Sequence, residues 1–360
     1  FPVIVQLLTV YCSLFTAHCS PPMPSSLPPI IPPEDFWSRQ RNAQTFSFDF
    51  APFGVPTEIT ANDAATLTAA QISARRFSRT VDPAGGAMRL QIVVGEGEAR
   101  PLPDDLPDRL QYSGIGDRIS LSAGEWGYGF GNLITRQATL FLSASLAANA
   151  LLVSRYVIDH YLLNFLLTEW AMLHASCVID RSGRRLIMLI GPHNAGKSTA
   201  ALRLTRAGYA FLADGMVLLK VRNNRLVVGG YPVGEVKLRD DMLALFPDYA
   251  NKQEQAREHT KTIVDLRDAH PDRLAESLFV PPSVVLCFVE RGAHKFSDVA
   301  PLTPEAALDA VAANTVYWNY PAQLAHNTDT LHYLLRHASL YRLTLGADPI
   351  ELISTVDGLT

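Results

Sequence analysis

The sequence predicts an α/β domain preceded by a small β-rich domain. Three observations carry that expectation. From residue 171 onward, apolar strand-like runs alternate with helical ones, the texture of an α/β core. Between residues 36 and 146 the runs are instead short and strand-like, separated by Gly, Pro and Asp. A glycine-rich loop, GPHNAGKST at 191–199, stands between the apolar run RLIMLI and an Ala/Leu-rich stretch. The expected division is an apolar, Pro-rich leader over 1–33, a β-rich domain over 34–147 and the α/β domain over 148–360.

In the β-rich part, TFSFDF, MRLQIVV, DRISLSA and QATLFLSA read as strands. AGEWGYGFGN (Ala123 to Asn132) alternates aromatic residues with glycines. It reads either as a tight turn packing its rings on the sheet or as an aromatic binding loop. NALLVSRYVIDHYLLNFLLTEW follows with helical spacing, and Arg155, Asp159 and Glu169 argue against a membrane span. It predicts a long, largely buried helix introducing the second domain. AMLHASCVI then reads as a strand, RSGR as a turn, RLIMLI as a second strand and AFLAD as a third. Further on, PPSVVLCFVE reads as a buried strand, and TPEAALDAVAANT as a helix capped by Thr303 with Glu305 in its first turn.

Composition bounds the function. The chain has 360 residues, 48% of them hydrophobic, a net charge of −4 and a pI near 6.2, with no Lys/Arg-rich block. No nucleic-acid partner is expected from such a balance. Four cysteines, at 12, 19, 177 and 287, form no CxxC pair and no zinc spacing, which suits a reducing, cytoplasmic setting. The first residues, FPVIVQLLTVYCSLFTAHCS, carry no charge before Glu34. They lack the basic n-region of a signal peptide and are short and Pro-interrupted for a span, so no membrane partner is expected. The stretch from Pro21 to Pro33 reads as an extended arm.

The loop matches G-x-x-x-x-G-K-[ST] at Gly191, Gly196, Lys197 and Ser198. Its glycines permit backbone conformations that turn successive N–H groups onto phosphate oxygens, and the helix it opens adds donors and a favourable dipole. Gly191, His193, Asn194, Ala195, Gly196, Lys197, Ser198 and Thr199 are therefore the candidate nucleotide-binding residues. Lys197 is expected at the β- and γ-phosphates of ATP, and the Ser198 hydroxyl on Mg²⁺. Two acids compete for the place beside the metal: Asp214, ending AFLAD, and Glu290, ending SVVLCFVE. Asp214 has a companion upstream in His174, and a carboxylate there can take the proton of an attacking hydroxyl.

The stretch LHASCVIDRSGRRLIMLIGPHNAGKSTAALRLTRAGYAFLADG resembles the HPr kinase/phosphorylase family and its relatives, which include kinases found with lasso-peptide biosynthesis. YPVGEVKLR (Tyr231 to Arg239) is similar to a Pro- and Lys-containing segment of those relatives, and LYRLTLGADPIELI to their closing strand and helix. The resemblance covers roughly Leu151 to Thr360 and is specific only around the loop. It implies a P-loop kinase fold shared with PEP carboxykinase, ATP with Mg²⁺, and transfer to a serine hydroxyl. It implies Asp214 as base and metal ligand with His174 as its neighbour, and Lys237 or Arg239 as stabilisers of phosphoryl charge. The family's second Asp is Gly215 here, which removes a carboxylate that Glu235 or Asp240 would have to replace. The LEIRG signature of the regulatory kinase is absent, with VKLRD in its neighbourhood, so HPr itself is not the expected acceptor.

The expected function is thus an ATP- and Mg²⁺-dependent kinase acting on a hydroxyl, foremost serine, of a peptide, protein or small molecule. Two alternatives stand beside it: an ATP-binding regulatory module with degenerate catalysis, and a P-loop ATPase using Glu290. Acceptor recognition is expected from the β-rich domain and from Asn251 to Pro282, where NKQEQAREHTK reads either as a lid or as a solvated connection. A homo-oligomer is compatible with all three readings.

Overall fold

Strand-like sequence between residues 46 and 142 pairs into a seven-stranded sheet in the computed structural model, which describes residues 45–80, 86–96, 100–250, 257–258, 261–315 and 321–359. The leader over 1–33 with Cys12 and Cys19, and most of the 251–261 stretch, lie outside the described residues. The strands are β1 (Phe46–Phe50), β2 (Thr57–Ala61), β3 (Met88–Val94), β4 (Gln111–Ile115), β5 (Arg118–Ser122), β6 (Gly127–Asn132) and β7 (Gln137–Leu142). Their spatial order is β1-β2-β3-β7-β6-β5-β4. β2, β3 and β7 are parallel neighbours and the other pairs antiparallel. A helix, α1 (Thr66–Ala74), makes the crossover between β2 and β3. Its buried residues are Thr66, Ala69, Ala70 and Ser73, small side chains that leave no apolar stripe to read in the sequence.

The Gly/aromatic run resolves into a turn at Gly124–Trp126 followed by β6. Its glycines face the core. A Cβ on Gly129 would lie 2.4 Å from Leu140 Cδ2 and 2.6 Å from Tyr161 Oη, so only glycine lets that tyrosine lie on the sheet. The Tyr128 and Phe130 rings point to the other face, where Tyr128 stacks on Phe141 at 5.0 Å, while Trp126 packs against the core. The expected long helix is a helical run with a π-helical middle: Ala150–Leu152, Val153–Ile158, then α2 (Asp159–Leu166). Val153, Val157, Tyr161, Leu162 and Phe165 pack on Ile59, Leu90, Ile92, Leu121 and Leu140 of the sheet. Full burial of each such side chain is worth about 1.5–3 kcal/mol.

Beyond residue 170 the strands are β8 (Ala171–Leu173), β9 (Ser176–Ile179), β10 (Arg185–Ile190), β11 (Ala210–Asp214), β12 (Met216–Arg222), β13 (Arg225–Tyr231) and β14 (Glu235–Arg239). They continue with β15 (Arg257–Glu258), β16 (Lys261–Asp265), β17 (Ser283–Arg291), β18 (Asp298–Pro301) and β19 (Ser339–Leu345). The helices are α3 (Lys197–Arg206), α4 (Pro304–Ala313), α5 (Pro321–His337) and α6 (Pro349–Asp357). A six-stranded sheet has the order β11-β9-β10-β17-β19-β18, with β10, β17 and β19 parallel. β10 and β17 read as unbroken apolar runs because both faces are covered. Ile187, Leu189, Val285 and Cys287 pack with α3 and α6 on one side. Leu186, Met188, Ile190 and Leu286 pack with α4 and α5 on the other. Two three-stranded sheets, β13-β12-β8 and β14-β16-β15, complete a mixed α/β architecture. The expected cap holds: Thr303 Oγ1 accepts from Ala306 N at 3.3 Å. Cys177 and Cys287 are buried, unbridged thiols whose pKa values burial raises, that of Cys287 to about 12. Among the described residues no helix is long and apolar enough to cross a membrane.

The single strand expected over AMLHASCVI is two. β8 pairs with β12 in one sheet, β9 with β10 and β11 in another, and the chain changes sheets at His174 and Ala175. β11 and β12 change sheets at the same level, through Gly215, whose N–H donates to Ala175 O at 3.1 Å. Gly215 has φ 121°, a conformation that residues with a Cβ rarely adopt. Gly215 is thus the residue that turns the chain there.

Candidate functional site

Three neighbouring strand ends and the start of α3 make the site. β10 delivers the 191–199 loop, in which Asn194 (φ 64°) and Gly196 (φ 101°) take left-handed conformations before α3 begins at Lys197. The first amides of a helix have no intrahelical acceptor, so the loop and first turn direct free donors toward its mouth. Ala195 and Lys197 are buried, Gly196, Ser198 and Thr199 half-buried, and His193 and Asn194 exposed. Gly191 packs against β17, where a Cβ would lie 2.5 Å from Val289 O. The Lys197 ammonium folds over the loop and donates to Gly191 O at 2.8 Å and Pro192 O at 3.0 Å.

Asp214, 7% exposed, is the focus of the hydrogen bonds. Its Oδ1 accepts from Ser198 Oγ at 2.8 Å and from Ser176 Oγ, and its Oδ2 from Lys237 N at 3.4 Å. Ser176 is its partner in the β9–β11 register, which explains the contact. His174, at the sheet switch, is coupled electrostatically to Lys197, Asp214 and His193. Burial lowers the His174 pKa and Lys197 adds to this, against a backbone hydrogen bond with Gly215 and the Asp214 charge, so the ring is held toward its neutral form. Burial also lowers the Lys197 pKa; Asp214 opposes that, and Lys261 at the start of β16 reinforces it.

The structure therefore brings His174, His193, Lys197, Ser198 and Asp214 together, and adds Ser176 and Lys261, which sequence reasoning did not single out. Of the remaining accessory residues, Glu235, Arg239 and Asp240 engage other partners. Glu235 belongs to a buried ionic cluster: Arg76 Nε and Arg155 Nη2 each approach its carboxylate at 3.0 Å, and Arg76 also binds Asp159. Arg239 pairs with Asp241, and Asp240 accepts from Thr262 Oγ1 at 3.3 Å. Lys237 reaches Asp214 through its backbone. Glu290 is exposed and accepts from Thr344 Oγ1 at 2.9 Å. Two clefts elsewhere, one lined by Arg155, Tyr156 and Ile263 and the other by Tyr333 and His337, hold none of the site residues.

The donor set suits a magnesium ion carried on phosphates. Mg²⁺ takes one or two carboxylates and fills its octahedron with phosphate oxygens and water. Ser198 and Asp214 offer one hydroxyl and one carboxylate in mutual contact. Among the described residues no group of three His, Cys, Asp or Glu gathers that would hold a metal by itself. Lys197 beside the carboxylate, with the Lys261 charge close enough to act on Lys197, leaves positive charge for a polyanion.

No protein-family model matches the sequence, and no curated protein matches it. Among solved structures the chain is similar to the Hpr(Ser) kinase/phosphatase from Coxiella burnetii, with 14% identity and a TM-score of 0.29, over 52% of this chain and 93% of that one. A likeness that loose carries no argument about chemistry, and the reading of the site rests on its own residues.

Proposed function

We propose that the protein is an ATP-dependent kinase that transfers the γ-phosphoryl group to a hydroxyl, foremost that of a serine, in a peptide, protein or small molecule. The observation that carries this reading is the convergence of Lys197, Ser198 and the buried Asp214, with His174 beside them. The amides of 194–199 and the Lys197 ammonium would hold the triphosphate. Ser198 Oγ and Asp214 would hold Mg²⁺, whose charge would neutralise that of the transferring phosphoryl group. Asp214 accepts the proton of the acceptor hydroxyl as its oxygen bonds to the γ-phosphorus. The bond from that phosphorus to the β–γ bridging oxygen breaks, and ADP leaves with the electron pair. Ser176 and Ser198 orient the carboxylate through their hydroxyls, and His174, held toward its neutral form, adds no competing charge beside it.

Incubation with Mg-ATP and serine-containing peptides tests this: a phosphate mass gain on the peptide with stoichiometric ADP is expected. ATP binding without transfer to any acceptor would favour the second reading, a nucleotide-binding regulatory module, for which Gly215 in place of a second acid is the specific support. Hydrolysis through Glu290 has no such support, since that carboxylate is exposed and engaged by Thr344.

A further inference from the structure

The kinase reading places one end of the nucleotide, and the sheet topology indicates where the other end lies. β10, β17 and β19 run parallel, so Ile190, Arg291 and Leu345 all lead into loops on the same edge. Open α/β sheets bind ligands outside the carboxyl ends of such strands. Asp214 ends β11, on the β9 side of β10, whereas β17 and β19 lie on the opposite side. A nucleotide with its γ-phosphate at Asp214 and its phosphates along the 191–199 loop extends its base toward the ends of β17 and β19.

A fixed platform stands at that end. Gly196 touches β19, since a Cβ there would lie 2.8 Å from Leu345 Cδ1. Loops 292–297 and 346–348 are locked together. Gly292 N donates to Leu345 O at 3.0 Å, Gly346 N to Ser297 Oγ at 3.0 Å, Ala347 N to His294 O at 3.3 Å and Asp348 N to Lys295 O at 2.9 Å. The Asp348 charge also couples to Arg203 on α3, the helix that the phosphate loop opens. On this platform Phe296 is 53% exposed, with Lys295 Nζ 5.2 Å from the centre of its ring.

We propose that Phe296 is the stacking surface for the base of the nucleoside triphosphate, with Lys295 adding positive charge beside it. The proposal rests on the nucleotide site of the kinase reading and assigns its second half. Four hydrogen bonds hold the loops before any ligand arrives, so the backbone that carries the ring is preorganised. Stacking on an aromatic side chain tolerates any base, so ATP and GTP should depend on Phe296 alike.

Calorimetric titration with Mg-ATP and, separately, with inorganic tripolyphosphate distinguishes the two halves. Because Phe296 is exposed, Phe296→Ala leaves the core intact, and Phe296→Trp restores a stacking face. Phe296→Ala should weaken ATP about tenfold, the worth of one stacked base, with tripolyphosphate affinity unchanged and ATP affinity recovered in Phe296→Trp. An unchanged ATP affinity, or equal losses for both ligands, overturns the platform and leaves the phosphate site standing. A wild-type protein that binds neither ligand overturns the phosphate site and the platform with it.

Discussion

Replacing Asp214 by Asn separates chemistry from folding. The carboxylate is 7% exposed and accepts two hydroxyls on Oδ1 and one amide on Oδ2. Asparagine has the same shape, and with its oxygen toward Ser176 and Ser198 it keeps both hydroxyl contacts. Its NH₂ then faces the Lys237 amide, donor against donor, where the lost bond was long at 3.4 Å. The folding cost is therefore about 1 kcal/mol, that of one ordinary hydrogen bond. Catalysis loses far more, because asparagine cannot take the acceptor's proton. Removing a general base costs about 10²–10⁴ in rate, equal to about 3–5 kcal/mol of barrier. Peptide phosphorylation followed by mass spectrometry gives the rate. Calorimetry with ATP in EDTA gives nucleotide affinity with the metal role set aside. Transfer should fall at least a hundredfold while metal-free ATP affinity stays within about threefold. A variant that phosphorylates at near wild-type rate would refute the assignment of the base.

Lys261→Met should weaken ATP binding about ten- to a hundredfold, the range for a hydrogen bond to a charged group; unchanged affinity in calorimetry would remove Lys261 from the site. Gly215→Ala should cost about 1–3 kcal/mol because φ 121° strains any residue with a Cβ, although open space surrounds it; an unchanged urea midpoint would contradict that. His160, half-buried beside Tyr112, has its pKa lowered from 6.5 to about 4 by desolvation. As pH falls from 6.5 toward 4 the unfolded chain takes up a proton that the folded chain refuses, so stability drops, by at most about 3 kcal/mol. Asp159, raised to about 6 by burial, has the opposite sign over 3.8 to 6, so the readout is the difference between His160→Phe and wild type. The fall in urea midpoint from pH 7 to 4.5 should be smaller in the variant than in wild type; an identical pH slope would refute the assignment.

The phosphate loop was legible because its chemistry is local: glycines, lysine and serine lie within nine residues between a strand and a helix. Asp214 was legible as a strand-end residue and His174 as lying on the strand before RLIMLI, though the sheet switch that makes them neighbours was not. That switch depends on β8–β12 and β9–β11 pairing, which no short window contains. Ser176 and Lys261 escaped for the same reason, since register across β9–β11 and the placement of β16 bring them in. Glu235 looked available as a compensating acid, but its partners Arg76 and Arg155 come from remote segments, and a buried carboxylate between two guanidiniums is committed. α1 and β6 were missed because small residues and alternating glycines bury their inner faces without a hydrophobic pattern.

A structure with Mg²⁺ and a non-hydrolysable ATP analogue decides whether the 191–199 loop and Asp214 form the phosphoryl-transfer site. The metal should lie about 2.1 Å from Ser198 Oγ, with Asp214 in its shell directly or through water. The γ-phosphate should lie against Lys197 and face His174. A triphosphate seated away from the 191–199 loop, or a metal on Glu290, would contradict it.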